Sequence, residues 1–267
     1  MSEPLRIAFA GDRDISVRVL DFLIEEGVRP AALIVSGPGR ASHAEELVAR
    51  CDHLDPDYVL AGEAFRTMPA VEVLNSLALD LVVSVHFPYV VPPDVLRVPR
   101  LGWLNLHPGF LPWNRGWHTA TWAMLEETAV GATLHFMDED LDAGDIVRQR
   151  QLHIGPGDTA DSLYSRLLDL ELEVFEEAWP RLMDGTYERT PQKDEAGSSH
   201  SRRDLDTPQV QRLDLEADVV TGDLLRRIRA LTTNHIDEAA YYEIGSTRYR
   251  IRLEVTEEPI ESGTDKP

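Results

Sequence analysis

Cysteine is nearly absent: Cys51 is the only one in 267 residues. A single thiol can neither close an internal disulfide nor build a cysteine-based zinc cluster. Lysine is almost as scarce, with Lys193 and Lys266 alone among 26 basic residues, so arginine carries nearly all the positive charge. No apolar run reaches the roughly 18 residues that a membrane-spanning helix needs. The opening MSEPLRIAFAG lacks a charged segment followed by a signal-like apolar one. A cytoplasmic location without a membrane partner is therefore the expectation. Also missing is the G-x-G-x-x-G dinucleotide fingerprint, since Gly11 stands alone after the first strand-like run. Against the 26 basic residues stand 47 acidic ones, a net charge of -21. Such a surface repels a phosphate backbone, which disfavours nucleic acid as a partner. It suits a high-salt medium, where screening removes the self-repulsion. Stability should then rise in molar KCl, and a melting temperature flat or falling with salt would remove that explanation.

The first half of the chain alternates strand and helix signals. Leu5 to Ala10 reads as a buried strand, Ser16 to Glu26 as a helix closed by Gly27, and AALIVS as a second strand. That order is a right-handed βαβ unit at the start of a parallel sheet. HAEELVARCDHL reads as a helix, Tyr58 to Leu60 as a short strand, Met68 to Leu77 as a helix and Leu79 to Val85 as an interior strand. His43 and His53 lie near Asp52, Asp55 and Asp57, but in a spacing that fits no standard metal site. No metal is expected.

Chemistry concentrates between Leu101 and Ile146. If WLNLH is a strand, its period of two puts Asn105 and His107 on one face, opposite Leu104 and Leu106. A carboxamide beside an imidazole suits acyl transfer to an amine, which needs a donor for the oxyanion and a group that moves protons. A carboxylate such as Asp142, in the later LDAGD turn, can fix the imidazole tautomer, raise its pKa and hold a relay water. None of this requires a metal. DEDLDAGD lacks the glycine and glutamate spacing of an EF-hand loop. Its crowded carboxylates should raise at least one pKa there.

The ordered set NLHPGFLP, NRG and LDAGD resembles the folate-dependent formyltransferase family, over roughly Leu5 to Ile154. Within that family LPWNRGW is most similar to the branch that formylates nucleotide-linked amino sugars. The resemblance implies a Rossmann-like α/β fold with a mostly parallel twisted sheet. It also implies formyl transfer from 10-formyltetrahydrofolate to a primary amine, of the dTDP-4-amino-4,6-dideoxyhexose type, with Asn105, His107 and Asp142 as the catalytic set. Two other readings are a methionyl-tRNA formyltransferase and a folate- or nucleotide-sugar-binding regulator that has lost turnover. By the same resemblance Pro88, Tyr89 and Val91 wrap the folate head and the backbone near Asp138 and Glu139 lies over it, although HFPYVVPPDVL also reads as a proline-stiffened connection. Arg115 either contacts substrate phosphate or pins its own loop, and Trp117 either flanks a sugar ring or plugs the core.

Pro108, Gly109 and Pro112 rule out regular structure until Gly116, and a helix follows from Thr119 to Glu126. Ala132 to Phe136 and Ile146 to Leu152 read as strands, then Thr159 to Trp179 as an amphipathic helix with Thr159 as N-cap and Ser162 at the capping-box position. Four segments are expected: a catalytic domain over 1–185, a linker or extended arm over 186–215, a small α+β module over 216–257 with its hairpin turn at Gly245, and a disordered tail over 258–267. Within the arm GSSHSRRDL resembles the sugar branch, making His200, Arg202 and Arg203 either pyrophosphate contacts or a surface ion-pair patch. An exposed hairpin edge invites a homodimer.

Overall fold

The strand-like runs of the first half assemble into one sheet. The computed structural model describes residues 4–192 and 197–259; the tail expected beyond 259 and the stretch 193–196 of the expected arm lie outside the described residues. In chain order the elements are β1 (Ile7–Gly11), α1 (Arg13–Glu25), β2 (Ala32–Val35), α2 (Ala44–Arg50), β3 (Val59–Ala61), α3 (Met68–Ser76), β4 (Leu81–Val85), α4 (Pro93–Leu96) and β5 (Gly102–His107). Then come β6 (Arg115–Gly116), α5 (Thr119–Glu126), β7 (Val130–Phe136), β8 (Ile146–Leu152), α6 (Ala160–Asp184), β9 (Ser199–His200), α7 (Pro208–Gln211), α8 (Thr221–Ala230), β10 (Ala240–Ile244) and β11 (Thr247–Ile251).

Among the described residues, seven strands form the main sheet in the order β3-β2-β1-β4-β5-β7-β8. The neighbours from β3 to β5 pair in parallel, and β7 and β8 add as antiparallel strands. This is the mostly parallel α/β sheet expected, with its strand order reversing between β1 and β4, so that a crevice opens at the carboxyl ends of the strands. Ile7, Phe9, Leu104 and Leu106 pack on one face against α1 and α6, together with Phe175 and Trp179. Ala8, Ala10, Val82 and Trp103 pack on the other, against Val71 and Leu74 of α3. Asn105 and His107 share parity with Trp103, and so lie on this second face at the carboxyl end of β5.

Helix α6 runs further than expected, to Asp184 with Pro180 inside it. Trp179 and Leu182 are both buried in the main core, which holds the last turn in place, and Gly185 closes the helix in the left-handed region at φ 74. At its start the Ser162 hydroxyl accepts from Thr159 N–H while Thr159 Oγ1 accepts from Ser162 N–H, so a serine completes the capping box. Helix α1 begins earlier than expected, at Arg13, because Asp12 ends β1 in extended backbone and serves as N-cap position.

Beyond α6 the chain runs back along the β8 edge of the sheet to β6. Thr190 pairs with Ile146, and Ser199 and His200 pair in parallel with Arg115 and Gly116. Helix α8 then packs on α5 through Trp122, Leu205, Ile228 and Leu231, and the β10–β11 hairpin closes at Gly245 with φ 60. No helix among the described residues is long and apolar enough to cross a membrane.

Candidate active site

Strand β5 delivers two polar side chains to the open end of the sheet. Its antiparallel partner β7 brings a third, because the register sets His135 opposite Asn105 and Thr133 opposite His107. The Asn105 Nδ2 donates to His135 Nε2 at 3.2 Å, and His135 Nδ1 donates to the Phe136 carbonyl at 2.9 Å. That backbone contact sets the tautomer and leaves Nε2 as the acceptor for Asn105. His107 is held the opposite way round: its Nε2 donates to the Asn114 carbonyl at 3.0 Å, leaving Nδ1 on the open edge. The two rings meet edge to face, 6.3 Å between centroids.

The Asp142 carboxylate lies between these rings. One oxygen is 3.6 Å from His107 Nδ1 and the other 3.6 Å from His135 Nε2, while Gly116 N–H donates to the carboxylate at 2.9 Å. Asp142 is left-handed at φ 51, and its side chain is 11 % exposed. Burial by itself would raise this carboxyl. When the rings are protonated, the His107 charge and the His135 Nε2–H and charge, together with the Gly116 N–H, outweigh burial and hold it well below the usual carboxylate range. Asp142 is therefore not a carboxyl raised by crowding: imidazoles, and not its neighbouring carboxylates, are what the side chain meets.

Backbone close to the site is placed by small residues. A Cβ on Gly109 would fall 2.6 Å from His107 Nε2, and one on Gly144 would fall 2.0 Å from the Phe136 carbonyl oxygen. The glycines of NLHPG and LDAGD therefore let the ring and the acidic turn approach their neighbours. Asn114 is buried and left-handed at φ 59, with its amide donating to Thr128 Oγ1 and the Ala129 carbonyl. The Asn of NRG is thus a brace for the carbonyl that holds His107.

Other expected site residues are placed as follows. Tyr89 and Val91 are buried, packed in the second core cluster, and the Tyr89 hydroxyl accepts from Gly37 N–H at 3.2 Å. Their side chains are committed to packing, and Val90 between them is 73 % exposed. Pro88 is half-buried on the same loop. Asp138 and Glu139 are exposed, Asp138 accepting from Asp140 N–H and Glu139 pairing with Arg97. Arg115 donates to Gln192 Oε1 at 2.7 Å. Trp117 is 38 % exposed with the Arg202 guanidinium 5.5 Å from its ring centre. His200 stacks on Trp122 at 3.9 Å and approaches Glu126 at 3.2 Å, and Arg203 is exposed. The loop pairing of β6 with β9 brings Arg115, Trp117, His200 and Arg202 to one edge of the site, whereas Pro88, Tyr89 and Val91 belong to the β4 loop.

Two functional-looking histidines escaped the sequence reading. His135 alternates with Thr133 in a strand of otherwise apolar residues just ahead of LDAGD, and that alternation was the available signal. His86 had none: it sits at φ 48 after β4, with Nε2 3.0 Å from both oxygens of Glu171, whose side chain is fully buried. Tyr164 hydroxyl reaches His86 Nδ1 at 3.4 Å, and burial together with the Glu171 charge pushes that phenol up, keeping it a donor. Among the described residues no group of three His, Cys, Asp or Glu side chains is placed to hold a metal ion, His43 and His53 included. The surface depressions beside Gly157 and Arg252 and beside Val48 and Cys51 hold none of the site residues.

Residues 35–179 match the family model described as Formyl transferase, and residues 206–257 match the N-formyltransferase dimerization C-terminal domain. The chain is 33 % identical over 184 residues to a dTDP-4-amino-4,6-dideoxyglucose formyltransferase of Mycobacterium tuberculosis, covering 68 % of this chain and 76 % of that one. It is also 33 % identical over 197 residues to a methionyl-tRNA formyltransferase of Geobacter sulfurreducens, covering 71 % of this chain but 62 % of that one. The crystal structure of a proposed sugar N-formyltransferase from Mycobacterium tuberculosis superposes with TM-score 0.75 at 26 % identity, over 96 % of this chain and 100 % of that one.

Proposed function

The chain belongs to the formyl transferase family, and from that premise we propose that it moves a formyl group from 10-formyltetrahydrofolate to the amino group of a nucleotide-linked amino sugar, of the dTDP-4-amino-4,6-dideoxyhexose type. The observation that carries this reading is the Asp142 carboxylate set between His107 and His135, with Asn105 alongside, at the carboxyl end of β5.

Each side chain has a task that its contacts permit. Asn105 has two amide N–H donors; one is used on His135 and the other is available to the oxyanion that forms when the amine adds to the formyl carbon. His107, with Nε2–H fixed on Asn114, takes the proton of the attacking amine at Nδ1 and returns it to the departing folate nitrogen. Asp142, ionised because its carboxyl is held low, stabilises the imidazolium during that interval. The products are the sugar formamide and tetrahydrofolate. On the donor side, the exposed Val90 side chain on the β4 loop offers an apolar surface for a flat pterin.

The sugar reading is favoured over transfer to tRNA by three observations. The net charge is -21, the dTDP-sugar relative is matched over more of its length than the tRNA relative, and the C-terminal residues match a domain described for N-formyltransferases. That last match also supports pairing of two copies through the 206–257 module. The test is to incubate the protein with 10-formyltetrahydrofolate and dTDP-4-amino-4,6-dideoxyglucose and to follow the sugar by mass spectrometry. A mass gain of one formyl group is expected. No formylation of a panel of nucleotide amino sugars, with initiator methionyl-tRNA formylated in its place, would overturn it.

A further inference from the structure

The returning segment after α6 places one side chain, Gln192, where three backbone and side-chain groups of the site converge. Its Nε2 donates to the Asp142 carbonyl at 2.9 Å and to the Gly144 carbonyl at 2.8 Å, and its Oε1 accepts from Arg115 Nη2 at 2.7 Å. Both amide hydrogens and the carbonyl oxygen are engaged, so the side chain spends its whole hydrogen-bonding capacity on these three groups. Arg115 is followed by Gly116, whose N–H donates to the Asp142 carboxylate at 2.9 Å. The contacts close a ring: acidic turn to Gln192, Gln192 to Arg115, and the next residue back to the carboxylate.

Asp142 needs such a restraint. It is a non-glycine residue in the left-handed region, a backbone conformation that persists where neighbours over-determine it. Its carboxylate must stay poised 3.6 Å from two imidazoles with 11 % of its side chain exposed. Anchoring the turn at its carbonyls fixes where the Asp142 backbone sits, and the Gly116 N–H holds its carboxylate toward the rings.

We propose that Gln192 is a positioning residue for formyl transfer: it clamps the Asp142–Gly144 turn to Arg115, and Arg115 acts through that clamp and not as a contact to substrate phosphate. The inference rests on the formyl-transfer reading for its catalytic consequence, and on geometry alone for the clamp. Loss of a second contact layer of this kind lowers activity about 10- to 100-fold, because a displacement near 1 Å at the reacting groups is enough. Since the Gln192 amide is taken up by contacts within the protein, the loss belongs in kcat.

The experiment is a double-mutant cycle of Gln192→Met and Arg115→Met with kcat and both KM values, beside hydrogen–deuterium exchange of each protein. Expected are a fall in kcat of about 10- to 100-fold for either single variant, KM values within about two-fold of wild type, and a double variant no worse than the poorer single. Exchange should rise at 114–117 and 138–146 and stay unchanged in α1 and α6. Unchanged kcat, or an Arg115 effect confined to the acceptor KM and additive with Gln192, would overturn the proposal. Should Gln192→Met exchange faster everywhere, Gln192→Glu replaces it, keeping the volume and the Arg115 contact but lacking both donors, with the same outcomes read. If the wild-type protein formylates nothing, the reading of function has failed, and the exchange pattern still decides whether Gln192 holds the turn.

Discussion

Among the histidine–carboxylate contacts of the described residues, two are built to opposite specifications. His86 meets Glu171 with both oxygens at 3.0 Å, the acid fully buried on α6 and Tyr164 closing the far side of the ring. His107 meets Asp142 at 3.6 Å, the acid held by a loop, shared with His135 and partly open. In the first pair every polar atom is consumed by a neighbour, so the pair can only anchor the β4 loop to the helix. In the second a ring nitrogen and part of a carboxylate are left at contact distance without being tied up, which is the state in which a proton can be accepted and handed on. The lesson is that slack in a polar contact, not its tightness, separates the two.

The largest effect that sharpens the contrast is on turnover. His107→Ala and Asp142→Asn should each lower kcat by about 10²- to 10⁴-fold in a protein that still unfolds in one cooperative transition; steady-state formyl transfer and a thermal melt on the same preparations check this. Activity near wild type in either would erase the distinction from the chemical side.

Next in size comes stability. His86→Leu leaves the Glu171 carboxylate buried without its donor and should cost about 3–5 kcal/mol in urea unfolding, with much of that recovered when Glu171→Leu is added. If His86→Leu unfolds no more easily than wild type, or disables turnover as fully as His107→Ala in a stable protein, the anchoring role is wrong.

The smallest effect is in acid. Because the Asp142 carboxyl is lowered in the folded state from its ordinary 3.8, its contribution to stability is fully present above that value and fades as pH falls through the native pKa. The stability advantage of wild type over Asp142→Asn should accordingly shrink as the pH falls below the ordinary carboxylate range. Melting of both proteins across that range reads it; a gap that widens on acidification would reverse the sign assigned here.

Much of the architecture was legible because its signals are local. The βαβ start, the interior strand ending at Val85, the WLNLH strand and the helix over Thr119 to Glu126 follow from runs and periods a few residues long. Boundaries slipped where tertiary contacts outvoted local preference, as at Pro180, where burial of Trp179 and Leu182 carries α6 past a helix breaker. At the site, the alternation in WLNLH was enough to put Asn105 and His107 on one face. It could not say that a partner strand would set His135 opposite Asn105, since pairing register is a property of two segments. Nor could it show Tyr89 and Val91 turned inward to the core.

From residue order alone came the class of fold, the face of β5 that bears the polar pair, and the type of chemistry that an amide, an imidazole and a carboxylate can perform, because each depends on side-chain identity and on a period of two or 3.6. Only tertiary structure decided which groups touch. Asp142 is held by His107, by His135 and by a glutamine fifty residues further on; contacts at such separations are fixed by how the elements pack, and no local pattern encodes them.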